Sequence, residues 1–139
     1  MIQIAIVEDE EIYVKQLTEY IQKYQTERGK SIKVTVFGDG EDIIENYSGG
    51  FDIILMDIQM RFMDGMTAAE KIRQMDQKVI IMFITNMIQY AVRGYEVDAM
   101  DYVVKPVEYF SFSQKLDKQL DVCALRLKNF LRFRLGKEL

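Results

Sequence analysis

Asp57, Thr85 and Lys105 each stand immediately after a strand-like run of the chain, Phe51 to Met56, Val79 to Ile84 and Asp101 to Val104, and Asp9 stands second after the run Ile2 to Val7. Glu8 and Glu10 flank Asp9. If the runs are parallel strands, four loops deliver carboxylates, a hydroxyl and a lysine to one sheet edge, where open parallel sheets bind ligands. Carboxylates from two strands repel each other unless a cation lies between them. With oxygen ligands and no histidine in the chain, that cation is a hard one such as Mg²⁺. A lysine point charge and a hydroxyl then complete a site for a phosphoryl group. A carboxylate is also a competent nucleophile toward phosphorus. Residues alone point to a Mg²⁺-dependent site whose aspartate can be phosphorylated.

Each residue singly has a plainer role. Asp9 could cap a helix, Thr85 could end a turn, and Lys105 could be solvated. Asp64 reads as the N-cap of a helix starting at Gly65. Convergence of the four at one edge favours chemistry.

The elements that must position them are legible. Four strands are expected at Ile2 to Val7, Ile32 to Phe37, Phe51 to Met56 and Val79 to Ile84, with a weaker fifth at Asp101 to Val104. Their continuous apolar character suggests cover on both faces. Val14, Leu17, Ile21 and Tyr24 share one helical face, and residues 39–47, 65–75 and 87–95 carry further helical patterns. Strand alternating with helix implies an α/β doubly wound, five-stranded parallel sheet. From about Tyr109 a long helix is expected. Its seam of Leu116, Leu120, Cys123, Leu127 and Phe130 is spaced to pack on the sheet or another helix.

Composition narrows the function classes. A net charge of −4 disfavours a chain built mainly to coat nucleic acid. One cysteine, Cys123, leaves no intramolecular disulfide, and a cytoplasmic location is expected. The absence of histidine removes Ser-His-Asp and Cys-His catalysis. No apolar run approaches the ~20 residues of a membrane span. Charge is split along the chain: residues 124–139 carry five bases against one acid, while residues 1–123 carry 13 bases and 21 acids. The split suggests a domain over residues 1–122 and a basic helical extension or linker over residues 123–139.

"IAIVEDE", "IILMDIQM" with "MDGMTAAEKIR", "IMFIT" and "DYVVKP" occur in order. Together they resemble the receiver domain of two-component response regulators over residues 1 to about 120. The resemblance implies a flavodoxin-like fold with strand order 2-1-3-4-5. It implies Asp57 as phosphoacceptor, taking a phosphoryl group from a sensor histidine kinase. It implies Mg²⁺ on Asp9, Asp57 and the backbone carbonyl of Gln59, with Glu8 acting through water. Lys105 and Thr85 would contact the phosphoryl group, Tyr102 would be the switch aromatic, and the Lys105-Pro106 bond would be cis. Only slow self-dephosphorylation is implied, so the domain would be a switch rather than an enzyme.

The stretch "ITNMIQYAVRGYEVDAMDYVVKP", residues 84–106, resembles receivers of the LytTR group, in which a mostly β domain binds DNA. Transcriptional control would then pass through a DNA-binding domain that this chain does not contain. A stand-alone receiver remains the alternative. Residues 87–112, with Met87, Ile88, Tyr90, Tyr95, Tyr109, Phe110 and Phe112, are rich in apolar side chains and are expected to form a homodimer face. One position departs from the family pattern: Arg61 stands where proline is frequent, four residues after Asp57. It is expected to alter loop mobility or partner choice without abolishing phosphorylation. A Mg²⁺-dependent aspartyl phosphatase is a rival, but it wants a second acid where Gln59 stands. A flavin module is another, but "VEDEE" would repel its phosphate.

Overall fold

The computed structural model describes residues 1–86, 97–99 and 101–136. Five strands, β1 (Ile2–Val7), β2 (Ile32–Phe37), β3 (Ile53–Met56), β4 (Ile80–Thr85) and β5 (Asp101–Val104), form one sheet. All pairings are parallel and the order is β2-β1-β3-β4-β5. Four helices are described: α1 (Glu11–Arg28), α2 (Gly40–Glu45), α3 (Gly65–Met75) and α4 (Tyr109–Leu135). The helix expected over 87–95 lies outside the described residues.

The sheet is apolar throughout its centre because helices cover both faces. Every residue of β3 and β4 is buried, whereas the edge strands β2 and β5 are only partly so. Side chains alternate between faces along a strand. Ile4, Ile6, Ile53, Leu55 and Met82 therefore pack with Leu17, Ile21 and Tyr24 of α1 and Phe112, Leu116 and Leu120 of α4. Ala5, Val7, Ile54, Met56, Ile81 and Phe83 pack with Ile43 of α2 and Met66, Ala69 and Ile72 of α3. Burying one such aliphatic side chain is worth about 1.5–3 kcal/mol.

Strand three starts two residues later than the apolar run suggests. Asp52 instead takes the Gln3 N–H on its side chain at 2.8 Å. Strand four runs one residue further, because Thr85 pairs in register with Val104. α1 ends at Gly29, whose φ of 62° is the left-handed cap conformation. Asp64 caps α3, accepting from the Thr67 N–H at 2.7 Å, as expected. Asp9 does not cap α1: the cap position is Glu10, whose side chain makes no capping bond.

The C-terminal seam divides. Leu116 and Leu120 are core, but Leu127 and Phe130 are largely exposed, because α4 continues past the sheet. Arg126 Nη1 donates to the Lys78 carbonyl at 2.7 Å as the helix leaves the body. No described helix is long and apolar enough to cross a membrane.

The proposed dimer face needs one correction. Phe112 is wholly buried against the sheet, as the inward residue of the first turn of α4. Tyr109 packs edge-on to Tyr20, with ring centroids 5.3 Å apart. Phe110 and Val104 are exposed, at 63% and 48%. Met87, Ile88, Tyr90 and Tyr95 lie outside the described residues.

Candidate functional site

Parallel strands all end at the same edge, so the residues after β1, β3, β4 and β5 meet there. Oxygens of Glu8, Asp9 and Asp57 all lie within 4.8 Å of one another. Glu8 and Asp57 are buried, and Asp9 is exposed. The three form an oxygen-only, acidic donor set, and a hard divalent cation fits its chemistry. Gln59 and Arg61 line the same cleft, of about 430 Å³, with Asp9, Asp57, Asn86 and Lys105. A larger cleft of about 660 Å³ lies under the outer turns of α4, beside Phe51 and Val79. It faces away from the carboxyl ends of the strands, so volume does not identify the site.

Lys105 binds the acids together. Its Nζ lies 2.7 Å from Glu8 Oε2 and 3.0 Å from Asp57 Oδ2. Burial opposes the lysine's charge, but the hydrogen bonds to Glu8 and Asp57 outweigh it and hold its pKa above the ordinary value. Burial pushes the Glu8 carboxyl up to about 7, with the nearby Asp57 adding and Lys105 opposing. Asp57 also accepts from the Ile58 N–H at 2.7 Å. The Lys105-Pro106 bond is cis, as expected.

Thr85 is buried at the end of β4, and its carbonyl accepts from the Lys105 N–H at 3.0 Å. Tyr102 is on β5, opposite Phe83 in register, with ring centroids 5.3 Å apart. It is half-buried. The structure thus brings Glu8, Asp9, Asp57 and Lys105 together, with Gln59 on the same cleft. Thr85 adjoins Lys105 through the backbone, and Tyr102 lies on the neighbouring edge strand.

Two residues of the site go beyond the sequence reading. Tyr13, in the first turn of α1, places its ring over the Lys105 ammonium, 3.7 Å from centroid to Nζ. No spacing pattern signals it. Asp39, after β2, does carry a signal in "FGDG", a helix cap flanked by glycines. It caps α2 through the Glu41 N–H at 3.0 Å. It also accepts from the Phe62 and Met63 N–H groups at 3.0 and 2.9 Å. The β3–α3 loop is therefore tied down at the residues directly after Arg61. Arg61 itself lies over the Phe62 ring, 5.3 Å from its centroid.

Asp39 is buried, which alone would raise its pKa, but the backbone donors prevail and lower it. Its contribution to stability is therefore present above the unfolded carboxylate pKa and lost as pH falls through the lower folded value. Asp39→Ala leaves three N–H groups without their acceptor and is expected to cost at least about 1–3 kcal/mol at pH 7. Urea unfolding of both proteins should show the gap narrowing toward pH 3.5. An unchanged midpoint at pH 7 would refute the tether.

A family model described as the response regulator receiver domain matches residues 4–117. The chain is 32% identical over 120 residues to the Sensory transduction protein LytT of Bacillus cereus, covering 85% of this chain and 47% of that protein. It is 32% identical over 116 residues to the Transcriptional regulatory protein YpdB of Escherichia coli, covering 83% and 46%. The chain spans about half the length of the curated relatives it matches. The crystal structure of the response regulatory domain of MrkE from Klebsiella pneumoniae aligns with a TM-score of 0.78 at 28% identity, covering 87% of this chain and 97% of that one. The BeF3-activated DrrB receiver domain aligns with a TM-score of 0.75 at 22% identity, over 87% and 98%, a likeness of fold alone.

Proposed function

The chain belongs to the response regulator receiver family, and from that premise we propose that Asp57 is the phosphoacceptor of a two-component switch. One observation carries the reading: the Lys105 ammonium lies 3.0 Å from a buried Asp57 carboxylate, inside a cluster of three acids. A phosphohistidine on a sensor kinase presents phosphorus to the cleft. An Asp57 oxygen attacks in line, an O–P bond forms, the N–P bond breaks, and the kinase imidazole leaves. Lys105 follows the charge on the phosphoryl oxygens, and Thr85 supplies a hydroxyl to the new acyl phosphate. Asp9, Asp57 and the Gln59 carbonyl, with Glu8 through water, would hold Mg²⁺, which neutralises phosphoryl charge when bound.

The new contacts at the phosphate then shift the population between two states. Tyr102 changes place on the β5 edge, and among the described residues the exposed Val104 and Phe110 near it belong to the face through which a homodimer would form. Residues 1–122 are the switch. Residues 123–139 are the basic link to a DNA-binding output of the LytTR kind, acting in the cytoplasm on transcription. The outward turns of α4, basic and apolar together, support that division.

Incubation with Mg²⁺ and a small acyl-phosphate donor tests the core of this reading by intact mass. One phosphoryl adduct, labile to hydroxylamine and absent from Asp57→Ala, is the expected result. An unmodified wild-type protein, or an adduct that survives Asp57→Ala, overturns it.

A further inference from the structure

Among the described residues the Lys105 ammonium has three close neighbours that carry charge or a ring, and the acid cluster accounts for only two of them. Glu8 and Asp57 approach it at 2.7 and 3.0 Å. The third is the face of Tyr13, 3.7 Å from its centroid. An ammonium at that distance is attracted by the negative face of the ring. The lysine side chain is only 6% exposed, so the ring also helps to keep water from it.

Lysine carries its charge on a flexible four-carbon stem. Its value to a developing phosphoryl charge depends on a fixed, desolvated position. The carboxylate contacts change during the reaction, because Asp57 becomes the acyl phosphate and the ammonium must turn from its carboxylate to the phosphoryl oxygens. Tyr13 takes no part in the covalent step and stays where α1 places it.

We propose that Tyr13 is a positioning residue of the phosphoryl-transfer site, its ring holding the Lys105 ammonium beside Asp57. This rests on the reading of Asp57 as phosphoacceptor. The requirement is for an aromatic face and not for the phenol oxygen.

The test compares Tyr13→Leu and Tyr13→Phe, each alone and combined with Lys105→Met, in the rate of Asp57 phosphorylation by acetyl phosphate with Mg²⁺. Loss of the ring is expected to slow the reaction about two- to thirtyfold, the range of cation–π contacts from exposed to desolvated. Phenylalanine should restore most of the rate, and leucine should cost nothing further once Lys105 is methionine. The Lys105 ε-methylene protons give an independent reading: ring current should shift them upfield with tyrosine or phenylalanine, and not with leucine. Tyr13→Met makes the same comparison if the leucine variant fails to fold. A leucine variant at the wild-type rate, a phenylalanine variant as slow as leucine, or an equal loss without Lys105 overturns the role. If wild-type protein takes no phosphoryl group, the phosphoacceptor reading falls and this role with it. A wild-type rate in Tyr13→Leu removes this role alone.

Discussion

Lys105→Met is expected to slow phosphorylation of Asp57 by about 10²–10³-fold, the scale of deleting one preorganised charge-stabilising donor. The change also removes the shared partner of two buried acids, Glu8 and Asp57. Breaking a buried ion pair from one side costs about 3–5 kcal/mol, because the remaining charge is left uncompensated. The cost depends on pH in a definite direction. In the wild-type protein burial already raises the Glu8 carboxyl to about 7. A raised carboxyl favours the folded state below its unfolded pKa, and that advantage disappears as pH rises through the folded value. Without Lys105 the carboxyl loses an influence that lowers its pKa, so it holds its proton to higher pH. The variant's deficit in urea should therefore be smaller near pH 5, where only Asp57 is left without its cation, and largest near pH 8, both measured with a chelator present. A gap that widens toward low pH, or a wild-type rate of phosphorylation, would contradict this account of the site.

Gly65→Ala is expected to damage stability and reactivity together. A Cβ at Gly65 would stand 2.0 Å from the Asp57 carbonyl oxygen, 2.9 Å from its carbonyl carbon and 3.0 Å from the Ile58 Cα. All three are backbone atoms, so no change of rotamer relieves the clash. The same glycine donates its N–H to the Ile58 carbonyl at 2.7 Å. Accommodation must displace either the start of α3 or the backbone that carries Asp57. Overpacking of this kind costs about 1–3 kcal/mol or more, and a displacement of about 1 Å at a reacting group can cost about 100-fold in rate. Gly29→Ala is the contrasting control. Gly29 has a left-handed φ but nothing within 4 Å of its Cβ position, so it should lose stability at the far end of α1 while phosphorylation proceeds normally. Equal phosphorylation rates in the two variants would show that Gly65 merely starts a helix.

The loop that carries Arg61 holds a restraint that its own sequence does not show. Sequence comparison with the family pattern focuses on the missing proline and its fixed φ. The structure supplies a different restraint: Asp39, from the loop after β2, holds the backbone at Phe62 and Met63. A restraint made by a side chain twenty-three residues upstream leaves no mark in the spacing of "MRFMDG" itself.

Strand and helix were readable because their periodicities are local. Ile2–Val7, Ile32–Phe37, Asp101–Val104 and Gly65–Met75 have the bounds that their apolar patterns and punctuation predict. The meeting of Glu8, Asp9, Asp57 and Lys105 also followed from the chain, since parallel strands can only present their carboxyl ends to one edge. What the chain could not reveal depends on three-dimensional approach. The Tyr13 ring over Lys105, the direct contact of Glu8 with that lysine, and the close passage of Gly65 over the Asp57 carbonyl join residues from different elements. The same holds for the fate of the C-terminal seam. One spacing runs from Leu116 to Phe130, but the sheet ends before the helix does, and only its position decides that Leu120 is core and Leu127 is exposed. Periodicity states which side chains share a face; what that face meets is settled by the packing of the whole domain.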